Sequence, residues 1–229
     1  VTECNDGRLN DIRGLHVREE HVKKALRLAE ESGSDFEEGA VGAGTGMCCL
    51  GFKGGIGSAS RCVELDGCEY TIGALVLSNF GEEGNLVIGG RHYGSELLPK
   101  VKERLKSDID DSLAKDKGSI IMLIATDIPM SSRQLERVAN RAAIALGRAG
   151  SYMGNGSGDI AIAFSTANRM PYYSEQSLLE MKVIHEDVID KVFEPAVEAL
   201  EESIISSLYH AKTTRGVRGK LVYGLREFI

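Results

Sequence analysis

The stretch KDKGSIIMLIATD, from Lys115 to Asp127, changes character within two residues. A charged segment ends in Gly118-Ser119, and Ile120 to Ala125 follow as a short, continuous, β-rich run, the pattern of a strand buried on both faces. Such a strand has to be covered by other elements, and the flanking sequence supplies candidates. Residues 17–32 place Val22, Ala25, Leu26 and Ala29 on one helical face and stop at Gly33. Residues 95–114 carry Leu98, Val101, Leu105, Ile109 and Leu113 at helical spacing, with Pro99 near the start. Ser131 and Gln134 form a capping-box pair for a helix through about Arg148.

Two further strands frame this centre. YTIGALVLSN (70–79) alternates as a strand does, and GDIAIAFST (158–166) reads as another buried strand. The last third, about 174–211, is expected to be mainly helical, with Pro195 marking a break or restart. Alternating helices and strands in 229 residues suit an α/β chain with one compact domain.

Charge and composition remove several classes of function. A formal net charge of −7 without a basic block argues against nucleic acid or an anionic membrane as partner. No window approaches the roughly 18 apolar residues of a membrane helix and no leader pattern opens the chain, so a soluble, cytoplasmic protein is expected. The five cysteines form no C-x-x-C pair and fit packed, reduced thiols, although Cys62 and Cys68 could share a hairpin. The chain opens on VTECNDGRLNDIRG without an initiating Met and reads as though it begins inside a fold.

Motifs for cofactors are weak. Gly42, Gly44 and Gly46 give GxGxG, but an acidic loop precedes them and more glycines follow, so tight turns explain them better than a dinucleotide site. The histidines (His16, His21, His92, His185, His210) have no ligand spacing, and Asp108, Asp110 and Asp111 lack the glycine and glutamate of a calcium loop. No metal or cofactor is expected. The cluster GSYMGNGSGD (150–159) is more suggestive: its glycines can expose Asn155, Ser157 and Asp159, bringing a hydroxyl and a carboxylate to one cleft, while satisfied polar turns are an equal reading.

The Gly118-Ser119 junction has two readings as well. It can be an ordinary loop-to-strand turn. Alternatively, the Ser119 hydroxyl attacks the carbonyl just before it, glycine's lack of a side chain permitting the approach. Hydrolysis of the resulting ester would free Ser119 as a new N-terminus. Its α-amine, ordinarily titrating at about 7.7–8.0, would then serve as base without a histidine.

Four long segments tip that balance: Glu3–Ile12, Glu37–Arg61 (EEGAVGAGTGMCCLGFKGGIGSASR), Gly118–Ser151 and Gly154–Thr166 (GNGSGDIAIAFST). In this order they resemble the L-aminopeptidase/D-esterase family, which includes the β-peptidyl aminopeptidases. The closing TTRGVRGKLVYGL (213–225) is similar too. The resemblance implies an αββα sandwich of the type shared with ornithine acetyltransferases, here lacking the family's N-terminal strands. It implies a single catalytic domain over 1–229, self-cleaved into an α-chain part (1–118) and a β-chain part (119–229).

It also implies an aminopeptidase, amidase or esterase acting on short peptides, amides or esters, and a homo-oligomer, a tetramer by resemblance. The alternatives are acetyltransferase-like acyl transfer, which the related enzymes perform with Thr where Ser119 stands, and an unprocessed scaffold. Carried over by motif, Ser119 is the nucleophile and Gly118 the cleavage-site glycine. Asn79 helps to hold the oxyanion, and Ser157 with Asp159 assist the nucleophile. Members tend to carry an aromatic residue where Arg8 stands, and a long segment before NDGxLND.

Overall fold

The computed structural model describes residues 2, 4–31, 33, 35–105 and 118–229. The strands among them are β1 (Cys48–Cys49), β2 (Phe52–Lys53), β3 (Gly55–Leu65), β4 (Cys68–Asn79), β5 (Ser119–Thr126), β6 (Gly158–Ser165), β7 (Thr214–Arg215) and β8 (Leu221–Val222). The helices are α1 (Glu19–Glu31), α2 (Tyr93–Leu105), α3 (Ser132–Ala139), α4 (Ala142–Ala149) and α5 (Asp190–His210).

A four-stranded mixed sheet in the order β3-β4-β5-β6 organises the chain. β3 and β4 form an antiparallel hairpin whose turn is Asp66-Gly67, both at positive φ, the backbone that a two-residue hairpin turn requires. β5 pairs antiparallel with β4 and parallel with β6. The parallel step needs a long crossover, which α3 and α4 provide.

The sheet's two faces are unequal. On β5, Ile120, Met122, Ile124 and Thr126 are buried, while Ser119, Ile121, Leu123 and Ala125 are only half-buried. The buried face packs beneath α5, which contributes Val192, Phe193, Ala196, Val197, Leu200, Ile204 and Leu208 to the core. Burying each large side chain of that set contributes roughly 1.5–3 kcal/mol. α5 can lie this close because Gly57 of β3 has no side chain: a Cβ there would stand 2.0 Å from the Ser203 carbonyl oxygen. β5 is therefore covered fully on one face, not on both. β6 is an edge strand, with Ile162 and Phe164 exposed, so it too departs from the buried strand expected.

Several helices differ from their sequence patterns. α1 forms, but Val22, Ala25, Leu26 and Ala29 face solvent and its surface carries the Lys23–Glu19 and Arg27–Glu31 pairs. α2 begins at Tyr93, which places Pro99 in its second turn. Ile109 and Leu113, the acidic trio Asp108, Asp110 and Asp111, and the charged linker up to Lys117 lie outside the described residues. The capping box is present in both halves: Ser131 Oγ accepts from the Gln134 N–H and Gln134 Oε1 accepts from the Ser131 N–H. The helix it starts is interrupted at Asn140-Arg141, giving α3 and α4. Residues 174–185 are not helical. Pro195 sits inside an unbroken α5, in its second turn, where it removes one backbone N–H donor without ending the helix. Cys62 and Cys68 share the β3–β4 hairpin as free, exposed thiols, and Gly42–Gly46 is a 3-10 turn with no strand before it among the described residues.

Among the described residues, no helix is long and apolar enough to cross a membrane, and no group of three His, Cys, Asp or Glu side chains is placed to hold a metal.

Candidate active site

The sheet register converges on Ser119. As the first residue of β5, it is paired with Asn79, the last residue of β4, and with Gly158, the first residue of β6. Ser157 and Asp159 flank Gly158, so Asn79, Ser119, Ser157 and Asp159 lie at one end of three adjacent strands. Directly paired residues put their side chains on the same face, so Asn79 and Ser119 look the same way.

The peptide bond between Gly118 and Ser119 is the centre of this arrangement. Ser119 Oγ donates to the Gly118 carbonyl oxygen at 2.8 Å, and the Gly158 N–H donates to the same oxygen at 3.1 Å. Two donors thus polarise the carbonyl that precedes the candidate nucleophile. Space requires glycine at 118 and is tight at 158. A Cβ on Gly118 would lie 2.2 Å from the Asn79 carbonyl oxygen, and one on Gly158 would press on Ser119 Oγ at 3.2 Å.

Asn79, nearly buried, is held at both ends of its amide. The Cys48 N–H donates to its Oδ1 at 2.9 Å and its Nδ2 donates to the Asn5 carbonyl at 3.0 Å. Because a backbone N–H can only donate and a carbonyl can only accept, these contacts fix which end is oxygen. Nδ2 keeps its second hydrogen for another acceptor.

Ser157 and Asp159 form a pair of their own. Ser157 Oγ donates to Asp159 Oδ1 at 2.6 Å, and the Ser157 N–H donates to Gly154 O at 2.8 Å, closing the glycine turn. Ser157 and Asp159 are the chain neighbours of Gly158, the residue paired with Ser119; Asp159 is itself paired with Ile120, one step out of phase with Ser119, and the Ser119 hydroxyl is engaged with Gly118.

A buried charge lies behind Asn79. Burial pushes the Lys53 ammonium down to about 8, opposed by the Cys48 and Cys49 thiols and by Asp6. Burial likewise pushes the Cys48 thiol up, against the pull of Arg8 and Lys53. Lys53, Cys48, Asn5 and Gly158 were not singled out from sequence. Gly158 was signalled only by standing between two residues that were, and Lys53 only as a cation set among apolar residues and glycines in GFKGGIG.

A family model described as "Peptidase family S58" matches residues 1–222. The chain belongs to peptidase family S58. Within reach of that family, it is 43% identical over 230 aligned residues to the β-peptidyl aminopeptidase BapA of Sphingosinicella microcystinivorans, covering 98% of this chain and 58% of the relative. Among solved structures, the PH0078 protein of Pyrococcus horikoshii OT3 superposes with a TM-score of 0.85 at 52% identity, over 97% of this chain and 58% of that one. The L-aminopeptidase D-Ala-esterase/amidase of Ochrobactrum anthropi, described as a prototype of the serine aminopeptidases and a variant of the Ntn-hydrolase fold, superposes with a TM-score of 0.82 at 39% identity. That match covers 96% of this chain and 58% of the other. The chain thus spans under three fifths of the length of these relatives, and its α/β architecture, a mixed sheet with helices, is that of Ntn-hydrolase-type aminopeptidases.

Proposed function

We propose that this S58 chain is the catalytic part of a self-processing serine aminopeptidase that also cleaves amides and esters. The observation that carries the reading is the pair of donors, Ser119 Oγ and the Gly158 N–H, on the Gly118 carbonyl. In processing, Ser119 Oγ forms a bond to the Gly118 carbonyl carbon. The oxygen that becomes negative is the one Gly158 already contacts, and this is how preorganised donors lower such barriers. The C–N bond then breaks, the hydroxyl proton passes to the departing Ser119 nitrogen, and an ester remains. Water hydrolyses the ester to a Gly118 carboxylate and a Ser119 bearing a free hydroxyl and a free α-amine.

The same groups serve turnover. Ser119 attacks the carbonyl of a substrate's N-terminal residue while Asn79 and the Gly158 N–H hold the oxyanion; the bond to the leaving amine or alcohol breaks as that group takes the proton, and water then hydrolyses the acyl ester, releasing the residue as a carboxylate and restoring the Ser119 hydroxyl. The base is the Ser119 amine, the Ser157–Asp159 pair, or both together; the pair brackets Gly158, the residue of the next strand that is paired with Ser119. Short peptides, amides and esters are the proposed substrates, including β-peptides and D-residue esters, the chemistries named for the relatives. We also propose a homo-oligomer, a tetramer, on the family resemblance, and a cytoplasmic location.

Intact-mass measurement of the whole protein tests the reading. Wild type is expected as two chains with the junction at Gly118/Ser119 and hydrolysing aminoacyl p-nitroanilides. A single uncut mass with no turnover would refute it, and amine-blocked substrates cleaved in preference would refute the aminopeptidase assignment.

A further inference from the structure

Lys53 has no exposure to solvent, yet it carries an ammonium. A buried charge persists only where its donors are met. Here Nζ donates to the carbonyl oxygens of Gly44 at 2.8 Å, Met47 at 2.7 Å and Gly54 at 2.8 Å, three donors for three acceptors. The carbonyls come from three points of one folded-back segment: the 3-10 turn Gly42–Gly46, the residue before β1, and the residue after β2.

That segment delivers one donor to the candidate site. Cys48 follows Met47, is paired with Lys53 across β1 and β2, and gives its N–H to Asn79 Oδ1. With Oδ1 so fixed, Nδ2 gives one hydrogen to the Asn5 carbonyl and keeps the other, on a residue whose strand partner is Ser119.

A purely structural plug does not account for the ammonium. The Gly44 carbonyl also accepts the Met47 N–H at 3.2 Å and the Met47 carbonyl also accepts the Gly54 N–H at 2.9 Å, so these two oxygens are satisfied without Lys53. An apolar side chain would fill the same space without desolvating a charge. What the ammonium adds is a rigid three-point tie at the base of the Cys48 N–H.

We propose that Lys53 is a positioning residue of the peptidase reaction: its ammonium ties down the Gly44, Met47 and Gly54 carbonyls so that the Cys48 N–H holds the Asn79 amide with its Nδ2 end turned to the oxyanion. The inference rests on the reading of Asn79 as an oxyanion donor. It assigns Lys53 no contact with substrate; the effect travels through one backbone N–H and one side-chain amide.

The test is a double-mutant cycle in the whole, processed protein, using the aminoacyl p-nitroanilide that wild type hydrolyses fastest. Lys53→Met is expected to lower kcat by about ten- to a hundredfold with KM within about threefold, a fraction of what losing an oxyanion donor outright costs. In an Asn79→Ala background the same substitution is expected to cost less than about threefold, because the group it positions is gone. The Asn79 side-chain amide resonances, identified by their loss in Asn79→Ala, should shift or broaden in Lys53→Met.

Equal losses in both backgrounds, or Asn79 resonances that stay in place, overturn the inference while leaving the proposed function intact. A full rate in Asn79→Ala itself overturns the role given to Asn79 and this inference with it. Should Lys53→Met not fold, Lys53→Gln, which retains two of the three donors, is expected to show the same pattern at smaller amplitude. A wild-type rate and unmoved Asn79 resonances in that variant count against the inference equally.

Discussion

β5 ends in a hydroxyl residue at both termini, and the two are used differently. Thr126 is buried. Its Oγ1 donates to the Thr71 carbonyl at 2.7 Å and accepts the Ile128 N–H at 3.1 Å, while Asp127 Oδ1 accepts the Thr71 N–H at 2.7 Å. These bonds stitch β5 to β4 and start the turn beyond. Ser119, half-buried, has glycines on two sides, Gly118 in its own chain and Gly158 in β6, and its hydroxyl rests on the carbonyl of one of them. A strand-end hydroxyl becomes a candidate nucleophile when its neighbours offer it a reactive carbonyl and no competing side chain.

The contrast can be broken most sharply at the two hydroxyls. Ser119→Ala is expected to leave one uncut chain on a denaturing gel and to abolish turnover. Thr126→Val is expected to process normally and lose about 1–3 kcal/mol of stability in urea unfolding. An uncut Thr126→Val chain would erase the distinction.

Glycine at the junction comes next. Gly118→Ala puts a Cβ 2.2 Å from the Asn79 carbonyl, backbone that cannot step aside, and is expected to slow processing by at least about tenfold, about 1.4 kcal/mol of barrier. Gly147→Ala, on α4 with open space around it, should process at the wild-type rate and be more stable by about 0.5–1 kcal/mol. The fraction of cut chain against time after synthesis reads both.

Asn79→Ala in processed protein is expected to cost about 10²–10³ in kcat, far out of proportion to its effect on the melting temperature. Asp159→Asn and Ser157→Ala should cost about 10², the low end of general-base losses, and alter the pH dependence of kcat. Near-native turnover in any of them removes that residue from the mechanism.

The smallest effect concerns pH. In the folded chain Lys53 titrates at about 8, below its ordinary 10.5, so this group disfavours folding below about 8. That penalty is relieved as pH rises toward 10.5, because the unfolded chain still binds the proton there. Cys48, raised by burial, acts in the opposite sense above about 9 and does so in both proteins. The stability of wild type minus that of Lys53→Met should therefore rise between about pH 8 and 10.5. A flat difference would mean that the folded ammonium titrates normally.

Local chemistry was legible in the sequence where it is written locally. The capping box at Ser131 and Gln134, the β4 and β5 runs and the turn glycines at 42–46 follow from neighbours a few residues apart. What requires a partner from elsewhere in the chain was not legible. The apolar stripe of α1 predicts packing that the described residues do not provide, and Pro195 reads as a break because sequence alone does not show α5 anchored along the sheet. At the candidate site, motif resemblance pointed to Ser119, Asn79, Ser157 and Asp159. Gly158 acts through its backbone and Lys53 through carbonyls, and neither backbone role leaves a mark in a side-chain pattern.

The tight seat of Gly118 has a consequence for everything after processing. On the proposed reading, scission does not empty the site: it leaves there the carboxylate of Gly118, whose oxygen the Gly158 N–H already holds and whose Cα is closed in by the Asn79 carbonyl and Phe80, still attached to its own chain. A tethered product competes at an effective concentration of millimolar order, which a free short peptide rarely matches. If scission occurs as proposed, the new C-terminus would compete with substrate until it withdraws, and turnover would lag behind bond cleavage. An L-residue cannot then simply take the vacated seat, since its Cβ would fall where Gly118 has no room for one; an incoming substrate must lie across the rim in a pose that the precursor never adopted.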